Sequence, residues 1–104
     1  MKKVKIKVDW YADNLWKWTK GLMFSKPKVV FFDFKKIGYV SIHMFFVFFP
    51  IYAVVLDEKY KVIKIKKLYP FISFFSFKSK YLIEIPESIF KKYKIKEGDE
   101  LELS

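Results

Sequence analysis

The chain has no cysteine and no arginine, a single histidine and only three glycines, and each scarcity closes off a class of chemistry. Without cysteine there is neither a disulfide nor a thiolate metal site, and the redox compartment is left open. One histidine cannot supply a histidine-based metal cluster, and three glycines cannot build a phosphate-cradling GxGxxG loop. No serine stands in a nucleophile-elbow context, so no motif of covalent catalysis is present and no cofactor or metal is expected. The opening MKKVKIKVDW alternates lysine with Val and Ile and has no unbroken apolar core, so it does not read as a secretory signal; a soluble, cytoplasmic protein is the default expectation. There is no internal repeat and no low-complexity linker.

What the chain has in excess is apolar surface and lysine. At 104 residues it is expected to form one domain, spanning 1–104, able to bury on the order of 60–70% of its unfolded surface. A hydrophobic content of 53%, aromatics at 22% and 13 phenylalanines exclude disorder and predict a ring-rich core. The net charge of +10 comes entirely from 21 lysines. Lysine is a hydrated point charge, whereas base-reading and phosphate-clamping sites lean on the bidentate guanidinium. The plain reading is a solvated lysine surface; attraction to nucleic acid would be weak and sequence-independent.

Twenty residues, Ile37 to Leu56 (IGYVSIHMFFVFFPIYAVVL), lie between Lys36 and Asp57 without a charge. About 20 apolar residues suffice for a membrane-spanning helix. Phe, Val, Ile and Tyr dominate instead of Leu and Ala, Pro50 interrupts the run, and Gly38, Ser41 and His43 sit inside it. This composition predicts two buried strands joined at the proline, with no membrane crossed.

Around this run the remaining pieces order themselves. Val4, Ile6, Val8 and Trp10 alternate with Lys3, Lys5, Lys7 and Asp9 as one half-buried strand. Asp13 or Asn14 can cap a helix over 13–20 carrying Leu15 and Trp18. A second strand is expected over 28–34, followed by a turn at Lys35-Lys36-Ile37-Gly38. Within the uncharged run, Val40, Ile42, Met44, Phe46 and Phe48 form an apolar face, and Tyr39, Ser41, His43, Phe45 and Val47 a mixed one. Ile51–Leu56 and 60–68 form a hairpin about Asp57-Glu58-Lys59. Residues 68–80 are too irregular to assign as strand or loop; a loop lying over the barrel mouth is one arrangement open to them. Tyr81–Ile85 is a strand, Pro86 opens a short helix with Ile89 and Tyr93 on one side, and Glu97-Gly98-Asp99 turns into a final strand. The fold class is mainly β (α+β): a barrel-like domain of six to eight mostly antiparallel strands with two short helices.

These pieces resemble a known family. Gly21-Leu22-Met23 after a helix resembles the GLM motif of domain-of-unknown-function family 192, with Lys20 where the family usually has Arg. Ile42-His43-Met44, then Pro50, then Leu56-Asp57 resembles its FWM-K-N-T-x-x-P-L-D-I segment. Tyr81 to Pro86, with Glu84 inside it, and Gly98-Asp99 resemble its VLELP and GD elements. The resemblance spans roughly residues 4 to 103 and implies a compact, mostly β fold without implying a reaction. This chain departs from the pattern at Phe45, Phe46 and Val47, where the family is polar, and at Tyr52, where an Asp is expected, so a polar site built on those positions would be altered. A second resemblance, over Ile85-Pro86, the short helix, Ile95 and Gly98-Asp99, is to swapped-hairpin DNA-binding regulators.

The functional expectation is a small binding or interaction module whose ligand and oligomeric state the sequence leaves open. Its pocket would use the mixed face, Tyr39, Ser41 and His43, with Tyr52, because a few polar groups among apolar walls suit a concave site. Nonspecific or swapped-hairpin-type DNA binding is the alternative, and a small enzyme with a pocket near His43 a second one. Asp33, Asp57 and Glu84 each stand isolated among apolar residues; two of them meeting across a sheet could act as acid and base, although Asp57 suits a turn. Trp16 and Trp18 suit either a helix-to-sheet seal or base stacking.

Overall fold

The computed structural model describes residues 2–14, 26–44, 47–71 and 74–104, with backbone only at 42, 43 and 74. The lysine alternation at the start builds β1 (Lys3–Ile6), with Val4 and Ile6 buried and Lys3 and Lys5 outside. The strand stops there. Trp10 belongs to a separate strand, β2 (Trp10–Ala12), in a different sheet, so the expected single strand through Trp10 is two. The Asp9 carboxylate explains the break: its Oδ2 accepts the Val29 N–H at 2.8 Å and its own N–H donates to the Val29 carbonyl, fastening the chain to the next segment just before β2. The expected helix over 13–20 lies, from residue 15 on, outside the described residues.

The long strands follow. β3 (Val30–His43) and β6 (Phe74–Pro86) pair antiparallel, β4 (Ile51–Leu56) lies on the other side of β6, and β5 (Val62–Leu68) pairs with β4. With β2 parallel to β3, the sheet order is β2-β3-β6-β4-β5. The helix α1 (Glu87–Tyr93) follows Pro86, and β7 (Glu100–Leu103) returns to pair in parallel with β1 as a separate two-stranded sheet. No helix among the described residues is long and apolar enough to cross a membrane.

The anticipated turn at 35–38 is instead a bulge inside a continuous strand. Asp33 pairs with Tyr81 and Gly38 with Ser79, so four residues of β3 oppose one of β6. Lys35 takes φ 72°, stabilised by the Asp33 Oδ1, which accepts the Lys35 N–H at 2.8 Å. A bulge bends the ribbon it sits in. Beyond it, residues 38–43 and 74–79 form a two-stranded arm, and 74–80, open between strand and loop from the sequence, are strand: Phe75 and Phe77 point inward while Ser76 and Lys78 point out. Lys64 Nζ on β5 lies 5.4 Å from the Phe75 ring, so the arm curls back toward the opposite edge strand. The result is the expected barrel-like, mainly β domain, left open instead of closed.

The sheet is buried on both faces, which is why its strands read as near-continuous apolar runs. Val30, Phe32, Ile51, Ala53, Val55, Leu68 and Leu82 fill one face, joined by Met44, Val47, Phe75 and Phe77. Phe31, Val54, Leu56, Ile83 and Ile85 fill the other, covered by Val4, Ile6, Ile95 and Leu101, with Ile89 and Tyr93 of α1 packed on one side as expected. The strand parity of the uncharged run fails after His43. Val40 packs on the core and Met44 is buried, but residues 47–50 are no longer strand, so odd-numbered Val47 is buried and even-numbered Phe48 lies outside.

Candidate functional site

β6 is the central strand, and residue 84 sits near the middle of the sheet on the Leu82 side. That position demands an apolar side chain, and the chain puts Glu84 there. Its cross-strand neighbours are Val30 on β3 and Ala53 on β4, with Trp10 beyond Val30 and Lys66 beyond Ala53 in the same row. Only 5% of the residue is exposed. Lys66 lies two strands away, about 10 Å at ordinary strand spacing, and faces solvent. Burial among apolar groups pushes the Glu84 carboxyl up to about 8. At neutral pH it is a neutral acid, able to donate one hydrogen bond and accept others, and to exchange a proton near pH 8. Neither Asp33 nor Asp57 joins it. Asp33 braces the Lys35 bulge, and Asp57 Oδ1 takes the N–H groups of Lys59 and Lys61 at 2.8 and 2.9 Å, the expected turn role.

The outer surface carries a second set of features. On the arm, Tyr39 is 84% exposed, with Lys78 Nζ 5.6 Å from its ring, and the Ser41 and Ser76 hydroxyls share a hydrogen bond at 2.7 Å. Tyr39 and Ser41 therefore lie together on an exposed ribbon face. The His43 backbone pairs with Phe74 at the end of the same arm; its side chain is outside the described residues. Tyr52 is elsewhere: it pairs with Ile85, seven positions along β6 from the partner of Tyr39, and its ring stacks on Phe90 at 4.0 Å. Lys67, ion-paired with Glu87, lies over Tyr52 and Tyr69. That contact raises the Lys67 pKa and lowers that of Glu87, chiefly through their hydrogen bond.

A third surface was not anticipated from the sequence. Phe48 and Phe71 meet edge to face, centroids 5.2 Å apart, outside the core, at 60% and 44% exposure. The Phe71 N–H donates to the Met44 carbonyl at 3.0 Å and the Val47 N–H donates to the same oxygen, tying the two segments together. Tyr69 continues the patch toward Lys67. The available signal is that Pro50 and Pro70 each interrupt an aromatic run, leaving rings on loops where alternation cannot turn them inward.

The other motif positions are structural. Pro50 accepts the Glu87 N–H through its carbonyl at 3.0 Å, and Pro86 is the N-cap of α1. Gly98 takes φ 94°, and Asp99 accepts the Lys96 N–H at 2.9 Å and the Lys2 N–H at 3.4 Å, the first of which chiefly lowers its pKa. Gly21, Leu22 and Met23 lie outside the described residues.

Among solved structures, a protein from Sinorhizobium meliloti 1021, provisionally described as a transcription regulator, is similar at TM-score 0.74 and 18% identity, covering 85% of this chain and 74% of its own. A protein of unknown function from Novosphingobium aromaticivorans DSM 12444 is similar at TM-score 0.75 and 17% identity, covering 88% of this chain and 71% of its own. At such identities the likeness concerns the fold alone. No curated protein matches the chain. The family model described as DUF192, Uncharacterized ACR, matches residues 1–103, and the chain therefore belongs to that family, as the motifs at Glu84, Pro86 and Gly98-Asp99 had led us to expect.

Proposed function

We propose that this protein is a small binding module that works through its outer surface, presenting aromatic rings set among lysines to an anionic partner. The observation that carries this reading is the exposure of the aromatic rings of Tyr39, Phe48, Tyr69 and Phe71. Exposed apolar area of this kind is characteristic of an interaction surface. The lysines supply the attraction: Lys78 stands at Tyr39, Lys67 at Tyr69, and Lys64 and Lys66 along the β5 edge. Tyr39, Ser41 and His43 of the arm supply the polar groups for a small ligand in this reading. The test is titration of the full chain with a single-stranded oligonucleotide, a duplex and anionic vesicles at low and high salt. Binding to at least one probe, weakened by salt and by Tyr39→Ser with Phe48→Ser, is the expected result. Absence of binding to every probe would overturn the reading.

A second reading rests on Glu84: a proton-exchanging acid in an apolar interior is what a small enzyme would place at its centre. It ranks lower because the cross-strand partners of Glu84, Val30 and Ala53, are apolar and neither Asp33 nor Asp57 joins it. The lack of arginine disfavours reading of base sequence by this surface.

A further inference from the structure

The Phe48–Phe71 patch differs in kind from the arm around Tyr39. The two segments that form it belong to stretches 37–56 and 68–77, which hold no charged residue between them and eight of the 13 phenylalanines. Phe75 and Phe77 of these stretches are buried and Phe49 half-buried, while Phe48 and Phe71 project together from two loops held by the shared Met44 carbonyl. Two residues before Phe71 comes Tyr69, 49% exposed, with Lys67 Nζ 5.2 Å from its ring, preceded on β5 by the solvent-facing Lys64 and Lys66. Back along the chain from Phe71 the exposed groups thus change from hydrocarbon rings, through an amphipathic tyrosine, to lysines.

We propose that this Phe48–Phe71 patch docks on a lipid bilayer containing anionic headgroups. The proposal rests on the preceding functional reading and names its partner. The gradient matches the interface it would enter: phenylalanine toward the acyl chains, tyrosine at headgroup depth, lysine at the charged plane. Lysine suits such a layer because its long stem reaches back to diffuse negative charge without needing a fixed geometry. A nucleic acid would have to lay phosphates against rings carried on stretches that hold no lysine. A second copy of the chain is disfavoured by repulsion between two molecules each carrying +10. The sheet itself crosses nothing; the molecule lies on the surface by two rings and an electrostatic cushion.

The absence of cysteine permits a clean experiment. Phe48→Cys in the full chain is labelled with an environment-sensitive fluorophore, and Ser88→Cys, exposed on α1, provides the control. Both are titrated with phosphatidylcholine vesicles, with phosphatidylcholine–phosphatidylserine vesicles, and with a single-stranded oligonucleotide. The expected result is a blue shift at position 48 on phosphatidylserine vesicles only, none at position 88, and about tenfold weaker vesicle cosedimentation for unlabelled Phe48→Ser/Phe71→Ser, whose melting curve is unchanged. Lys64→Gln/Lys66→Gln should weaken cosedimentation and flatten its salt dependence. A response to the oligonucleotide without one to vesicles overturns the lipid proposal and leaves the anionic-partner reading standing. Silence toward every probe overturns both. A shift at position 48 that grows with protein concentration alone assigns the patch to self-association.

Discussion

The two faces of the sheet are filled in opposite ways. One is sealed by regular structure: β1 and β7 lie across it with α1, and the polar groups at its margin are engaged, Asp99 by the N–H groups of Lys96 and Lys2, and Ser104 by the carbonyl of Ile6. Among the described residues, the other is closed by the curled arm and by non-strand segments, holds an ionisable group in its middle, and leaves Phe48 and Phe71 outside. A layer of strands and a helix fixes every side chain by periodicity, whereas loops leave freedom over which rings turn inward. Departures from an ideal core that offer no local gain concentrate where function is accommodated, and here they concentrate on the loop-closed face.

Glu84 offers the largest test of that contrast. Its folded pKa is raised from 4.5 to about 8, so the folded state holds a proton that the unfolded chain gives up. Stability is therefore full below pH 4.5 and declines as pH rises through the window to about 8, by about 5 kcal/mol at most. Glu84→Gln should remove most of that slope in urea melts run at pH 5 and pH 8. An unchanged slope would mean that the loop-closed face holds no buried acid. Asp99 works in the opposite sense: its lowered pKa adds stability above the ordinary carboxylate range that is lost on acidification.

Leu82 and Ile83 are neighbours on the same strand, both fully buried, facing opposite sides. Truncation of either to alanine is expected to cost about 2–5 kcal/mol. If the loop-closed side can settle into the space, Leu82→Ala falls at the lower end and Ile83→Ala at the upper; equal costs in denaturant melts would argue that both faces are equally rigid. The smallest effect belongs to the turn that delivers β7. Gly98→Ala meets no atom within 4 Å, so its cost is that of φ 94° alone, about 1 kcal/mol. A loss several times larger would show that the sealed face depends on this turn more than its packing suggests.

The regular side was the more legible in the sequence. Alternating lysines with Val4 and Ile6, Ile89 with Tyr93, and Gly98-Asp99 are local signals, each set by a period or a turn conformation within a few residues. What escaped was decided at a distance. Nothing near Lys35 says that the chain will bulge and continue instead of turning, because the partner that makes it continue is Ser79 and its neighbours. The Phe75/Phe77 alternation was readable but was masked by Pro70 and the serines around it. Glu84 could be named from its motif and its apolar flanks; its apolar cross-strand partners could not, since Val30 and Ala53 arrive from two other strands. The surface rings at 48 and 71 follow from where two strands end, a boundary that alternation alone does not mark.

The parallel pairing of β1 with β7 joins Lys3 to Glu100 and Ile6 to Leu103, so β1 is completed only by a strand nearly a hundred residues further on. Contacts between such distant residues carry a large loop-closure entropy and are slow to form. During synthesis β1 must wait, its valine and isoleucine faces uncovered and its lysines keeping it dispersed, until β7 has emerged and can fold back. Stopping the chain before residue 100 would therefore strand both ends at once: β1 would lose its partner, and Val4 and Ile6 would lose their cover.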